Sequence, residues 1–345
     1  MNTTNDKKDV RGKPVHRRRS CLGCLGRGAI GLLVFLAFLL AMGAIYEAVA
    51  SANDLKQYPM PGKLIDMGGF RLHLYCTGER KAGEPTVILE AGSGSASPDW
   101  GLVQPEITKI TRVCSYDRAG YGWSDKGPLP RTSEHLAEEL HMLLTVAGEE
   151  GPYVLVGHSF GGHTIRLFAH QYPQQVIGMI LVDARPEELA LRPAMNDFQL
   201  TFWAFMARCG FFRLFGDVIV KALVPAESLE KMPEGYPWQF SFRPQTLETI
   251  RDEDPLGSDK QVLASGKLGD LPLIVIVHGN PSMFASLPAE DALQAEADWQ
   301  AAQKKLAASS SNSQLIVAEG SGHAISFERP DVVINAIQQV LSSAP

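Results

Sequence analysis

Beyond its first 27 residues the sequence has no surplus of basic charge. Residues 1–27 hold eight Lys or Arg against two Asp, a local charge of +6, while the whole chain stands at −6 and the remainder therefore at −12. An acidic body offers no electrostatic footprint for a phosphate backbone, so nucleic-acid binding is excluded. Cysteine is scarce, with five in 345 residues. Cys21-x-x-Cys24 is a lone pair and makes no metal site by itself; it also precedes the apolar run, which excludes a lipobox. The G-x-G at Gly92–Gly94 lacks a following Lys-Ser/Thr and does not make a phosphate loop. There is no internal repeat, and no pattern implies a metal or an organic cofactor. What is present is the mix of an ordinary globular protein with a sizeable core, 45% hydrophobic and 20% charged. The length suits one large domain or two modest ones.

The basic head, residues 1–27, abuts Gly28–Tyr46, nineteen residues without a charge. As a helix they reach ~28 Å, about the hydrocarbon thickness of a bilayer. The expectation is an anchor over 28–50 with the N-terminus cytoplasmic and the rest of the chain across the membrane. Two alternatives involve removal: "AVA" at 48–50 resembles a signal-peptidase site near Ala50, and Arg18-Arg19 resembles a twin-arginine signal. All three readings export the body. Residues 51–62, polar with two prolines, read as a linker.

The body, 63–345, alternates apolar runs with helical patterns. "KLIDMGGFRLHLYCTG" reads as two strands turning at Gly68-Gly69. "TVILEAG", "TRVCSY", "YVLVGH", "GMILVDA", "LPLIVIVHG" and "SQLIVAEG" read as further strands. "TSEHLAEELHMLLTVAG" is an amphipathic helix opened by Thr132 or Ser133 and closed by Gly148. Strands without a polar face, alternating with helices, predict a mostly parallel sheet covered on both sides. About 185–265, rich in Phe and Trp, interrupts that rhythm and reads as a cap.

Gly157-His158-Ser159-Phe160-Gly161 matches G-x-S-x-G between a buried strand and a helix, the setting of a nucleophile elbow. A serine there stands above the sheet, and the N–H of Phe160 is placed to hold a developing oxyanion. With "GHSFGG", "EAGSG", "DRAGYGWSD" and "EGSGHAI", residues 60–345 resemble the α/β-hydrolase superfamily, and within it bacterial membrane-anchored serine hydrolases of the esterase or lipase kind. The resemblance implies an eight-stranded, mostly parallel sheet with helices on both faces and a helical cap after the sixth strand.

It also implies a Ser159–His323–acid triad. The usual place for the acid, after the seventh strand, reads "VHGNPSMF" with Asn280 there. A known variant sets the carboxylate after the sixth strand, which is Asp183; Glu290 and Asp291 are the alternatives. The second oxyanion donor falls at the backbone of Ser93. Asp117, Arg118, Gly120 and Gly122 read as shaping a loop beneath the site, and Trp123 as lining a substrate entrance. His158 is part of the elbow, His163 and His170 lie on the helix after it, and His73, His135 and His141 read as structural or surface residues; His278 ends a strand but precedes the position where the family puts its acid. In the implied fold the second strand runs antiparallel to the fourth, which makes Cys76 and Cys114 an expected disulfide in an oxidising compartment; Cys209 is then the odd one.

The expected activity is hydrolysis of a carboxylic ester of an apolar acyl or aryl substrate. Two alternatives stand beside it: an aminopeptidase of the proline-iminopeptidase type, with Glu187, Glu188 or Asp197 facing a substrate ammonium, and a non-catalytic ligand-binding sensor. The expected partners are the substrate and, through the N-terminal segment, the membrane. Oligomeric state is not encoded in any pattern found.

Overall fold

Val154, Leu155 and Val156 are consecutive and all fully buried, which is possible only if both sides of their strand are covered. Alternate side chains of a strand point to opposite faces, and here they feed two separate cores. Val154 and Val156 join Val87, Leu89, Ile180 and Ile276 on one face, under Trp100, Ile107, Val333 and Ile337. Leu155 joins Ile88, Leu181 and Val275 on the other, under Leu140, Leu143, Ile165 and Phe168.

The computed structural model describes residues 21–189, 195–224, 226–233, 235–285 and 287–343. The basic head up to residue 20, and residues 190–194 of the expected cap, lie outside the described residues. In chain order the elements are α1 (Cys21–Gln57), β1 (Lys63–Asp66), β2 (Arg71–Thr77), β3 (Thr86–Glu90), α2 (Gln104–Ile107), β4 (Val113–Tyr116), α3 (Ser133–Ala147), β5 (Tyr153–His158), α4 (Gly161–Gln171) and β6 (Val176–Val182). There follow α5 (Asp197–Arg208), α6 (Phe211–Leu223), α7 (Ala226–Lys231), α8 (Pro244–Asp252) and α9 (Pro255–Ser265). The chain closes with β7 (Leu273–His278), α10 (Ala289–Ala307), β8 (Ser313–Ala318), α11 (Ile325–Glu328) and α12 (Pro330–Ser343).

The eight strands form one sheet in the order β1-β2-β4-β3-β5-β6-β7-β8. β1, β2 and β4 pair antiparallel and all the rest pair parallel. In the β2–β4 register Cys76 lies opposite Cys114, and the two are disulfide-bonded. The five helices α5–α9 lie between the sixth and seventh strands, over the span expected for a cap. α5 is opened by a reciprocal cap in which Asn196 and Gln199 each accept from the other's backbone N–H. The start of α3 differs from expectation: no side chain of Thr132 caps it, and the Ser133 N–H instead donates to Ser258 Oγ of α9 at 2.9 Å.

The expected linker at 51–62 is the main departure. α1 continues through the apolar run to Gln57, because no proline intervenes before Pro59 and the polar residues of its last turns have partners. Arg213 of α6 donates to Glu47 at 2.9 Å, to Ser51 Oγ at 3.0 Å and to Asp54 at 2.7 Å. Glu47 and Asp54 are buried by this contact, whereas the apolar part of the helix is exposed apart from Gly43, which is partly covered.

Candidate active site

The parallel strands all end at the same edge of the sheet, and Ser159, Asp183, His278 and His323 collect there. Ser159 follows β5 directly and has φ +51°, a left-handed conformation that a residue with a Cβ adopts only under constraint. The constraint is visible. Its N–H donates to the Val182 carbonyl at 3.1 Å, and its own carbonyl accepts from Gly162 at 3.1 Å and Arg185 at 3.0 Å. The following turn needs residues without side chains: a Cβ on Gly161 would stand 2.6 Å from the Ala91 carbonyl, and one on Gly162 would stand 2.6 Å from Ala184 Cβ.

Asp183 is held in the same kind of conformation, φ +43°, with its N–H on the Ile276 carbonyl at 2.7 Å. Its carboxylate is fully buried and accepts from three rings. His323 Nδ1 donates to Oδ2 at 2.6 Å, His278 Nδ1 to Oδ2 at 2.8 Å, and Trp299 Nε1 to Oδ1 at 3.0 Å. Burial alone would raise its pKa; the hydrogen bonds from His278 and His323 overcome that and hold it below the usual carboxylate range. Asp183 is the acid that meets His323. Asn280 is tied by its backbone N–H to the Ser321 carbonyl at 2.9 Å, and Glu290 and Asp291 are exposed in the first turn of α10.

His278, set aside in the sequence reading because it precedes the usual acid position, is part of this cluster. Its second nitrogen, Nε2, donates to Glu296 of α10 at 2.9 Å, and Glu296 accepts in turn from Gln300 at 2.8 Å. Burial disfavours the charged ring, yet the bonds and charges of Asp183 and Glu296 outweigh it and raise the pKa to about 9. At neutral pH an imidazolium thus sits between two carboxylates. One signal was available in the sequence, because His278 ends a strand of the parallel sheet, at the edge where ligands bind. The partner on α10 was not visible.

His158 grips His323 from the other side, donating Nε2–H to the His323 carbonyl at 2.9 Å. Its own pKa falls to about 4, through burial first and the neighbouring His323 second, so it stays neutral. Among the described residues, neither His323 Nε2 nor the Ser159 hydroxyl has a hydrogen-bond partner. The same holds for the backbone N–H groups of Phe160 and Ser93.

Arg118 and Glu253 hold the loop that carries Ser93. Arg118 donates to the carbonyls of Ala91 at 2.5 Å and Gly92 at 2.7 Å, to Glu90 at 2.5 Å and to Glu253 at 3.1 Å. Glu253, just past α8 in the cap, also accepts from the Ser93 hydroxyl. Asp117 takes the N–H groups of Ser97 at 2.7 Å and Trp123 at 2.9 Å. Trp123 itself lines a cavity of about 420 Å³ with Tyr58, Pro59 and Tyr236, which Ser159, Asp183 and His323 do not line. Of the acids named for an aminopeptidase, Glu187 is paired with Arg166 at 2.6 Å and Glu188 with Lys305 at 2.6 Å.

Residues 87–336 match the model of the alpha/beta hydrolase family, and the chain belongs to that family. Over 259 residues it is 28% identical to the uncharacterised protein YqjL of Bacillus subtilis, covering 75% of this chain and 84% of that one. It is 29% identical over 304 residues to a probable transporter, efuK, of Hormonema carpetanum, which is 81% of this chain but only 42% of that protein's length. Among solved structures it resembles an esterase of Thermogutta terrifontis, with 24% identity, a TM-score of 0.57, and 81% of this chain and 97% of that one covered. It also resembles an enol-lactonase of Burkholderia xenovorans, with 17% identity, a TM-score of 0.59, and 81% and 100% covered. At such identities the structural likeness establishes the fold alone. Family membership gives the chain a hydrolase fold.

Proposed function

We propose that the protein is a serine esterase that cleaves a carboxylic ester with an apolar acyl or aryl part. The observation that carries this reading is the 2.6 Å contact of His323 with buried Asp183, beside Ser159 on a strained elbow. In the proposed reaction Ser159 Oγ attacks the ester carbonyl while His323 Nε2 takes its proton. The N–H groups of Phe160 and Ser93 hold the oxyanion. Collapse breaks the bond to the leaving alkoxide, which takes the proton from His323. Water then attacks the acyl-enzyme, His323 receives its proton, and the carboxylic acid leaves as Ser159 is reprotonated. Throughout, Asp183 fixes the imidazole with Nδ1–H inward and Nε2 toward the serine. The pairing of Glu187 and Glu188 with basic side chains speaks against the aminopeptidase alternative.

In this reading α1 is an uncleaved anchor and the hydrolase domain is extracytoplasmic. Support comes from Glu47 and Asp54 binding the same Arg213, since a cut after Ala50 would detach Glu47. The Cys76–Cys114 disulfide suits an oxidising compartment.

Labelling by a fluorophosphonate probe tests the mechanism. The full chain is expected to label, Ser159→Ala and His323→Ala to lose labelling, and Asp183→Asn to be strongly weakened. A folded full chain that does not label would overturn the reading and favour a ligand-binding protein.

A further inference from the structure

The cap surface beside α1 is apolar well beyond the contact between them. Phe198, Phe202 and Phe205 are spaced i, i+4 and i+7 on α5, which puts them on one face, and all are exposed, Phe198 at 80%. On α6, Leu214 and Val218 are 68% exposed each, with Phe215 between them. The rings of Phe202, Trp203, Phe211 and Phe215 follow one another at centroid distances of 5.2, 5.8 and 4.9 Å, so the two helices present one continuous surface. A soluble protein rarely leaves such a patch to water.

Its position relative to α1 says what covers it. The α5–α6 turn touches α1 at Gly43, where a Cβ would stand 2.2 Å from the Cys209 carbonyl; a Cβ on Gly210 would stand 3.0 Å from the Gly43 carbonyl. Gly43 belongs to the uncharged run, three residues before its end at Tyr46. When that run spans a bilayer, the contact lies ~4.5 Å inside the hydrocarbon boundary. One turn further along α1 the contacts become ionic, from Glu47 and Asp54 to Arg213. Along α1 the change from apolar to charged thus begins within one turn of Gly43, as it does at a membrane surface, and Arg213 of α6 meets it on the charged side.

We propose that the α5–α6 face of the cap is seated in the bilayer that α1 crosses, at the depth of Gly43, and that the ester substrate is taken from that lipid phase. This rests on the reading of α1 as an anchor. An amphipathic face of Phe and Leu lying in the interface needs no further insertion machinery than its apolar area, and Lys221 on α6 has the length to reach the headgroups.

The test uses the full chain in phosphatidylcholine–phosphatidylglycerol vesicles, with Cys21, Cys24 and Cys209 changed to Ser and the disulfide kept. A single fluorescent label is introduced through Leu36→Cys in the anchor, Phe202→Cys or Val218→Cys in the cap, or Leu293→Cys on α10. Doxyl-labelled lipid is expected to quench the first three and spare the last. Quenching at Leu36→Cys without quenching at either cap position would overturn the proposal and leave the anchor standing. Absence of quenching at Leu36→Cys would overturn the anchor and the proposal together. In Phe198→Glu/Leu214→Glu, hydrolysis of a long-chain ester carried in vesicles is expected to fall several-fold, with a short water-soluble ester cleaved as before; equal rates on both in the variant and the parent would again overturn it.

Discussion

Two buried charge clusters flank Ser159, and they are built for different work. On one side Glu296, His278, Asp183 and His323 form a chain of alternating acids and imidazoles that ends at a partly exposed ring. Every member of that chain can gain or lose a proton. On the other side Glu90, Arg118 and Glu253 surround the loop of Ala91–Ser93, buried throughout. Its centre is a guanidinium, which keeps its charge at any pH the fold survives. In the proposed reaction the first cluster would handle a proton, while the second holds a backbone in place. Acyl transfer would need both, a base of the right tautomer and amide donors in fixed positions.

Variants that separate the two clusters sharpen this contrast. The largest effect is expected from Asp183→Asn, which spares the packing but reverses the hydrogen bond to His323; ester turnover should fall by about four orders of magnitude, read by initial rates against any cleaved ester. Next comes Arg118→Leu, which leaves Glu90 and Glu253 buried without their cation. Loss of one partner from a buried ion cluster costs about 3–5 kcal/mol, so denaturant unfolding should show it at once. A stability unchanged by Arg118→Leu would mean that the cluster is not closed from water. Glu253→Gln is milder: it retains a hydrogen-bond acceptor for Ser93, and we expect kcat to fall several-fold with KM nearly unchanged if the loop carries an oxyanion donor.

The smallest effect concerns pH. His278 is raised from its ordinary 6.5 to about 9, so the folded protein binds its proton more tightly than the unfolded chain. That contribution is fully present below pH 6.5 and is lost as pH rises through about 9. The melting temperature should therefore decline across this window; His278→Gln should flatten the decline, and Glu253→Gln should retain it. A slope unaltered by His278→Gln would place the titrating group elsewhere.

What could be read from sequence divides along the same physical line. Buried strands such as Val154–Val156 and Leu273–Val277 declare themselves because both of their faces are apolar, and the Ser159 turn because close approach demands Gly161 and Gly162. Asp183 and His323 were reachable because each follows a strand at one edge of the sheet. Glu296 was not, since it lies on a helix whose rotation relative to the sheet no local pattern encodes. Arg118 was taken as shaping a loop, which it does, but its second carboxylate arrives from residue 253, 135 positions away. The helical continuation to Gln57 was hidden for a similar reason: "SANDLKQ" is polar enough for a linker, and its partners, Arg213 and Arg243, come from the distant cap.

Glu253 has one further implication, for exchange of parts between relatives. Caps on this fold are insertions, and transplanting one for another is an obvious way to alter specificity. In this protein the insertion does not end neutrally, because its returning segment brings the carboxylate that Arg118 and Ser93 both use. A graft that lacks an acid at that point would leave a buried cation short of one partner and loosen the loop that carries Ser93. Modularity here stops at the end of α8, and a functional chimera would have its junction before residue 253 or carry an equivalent glutamate.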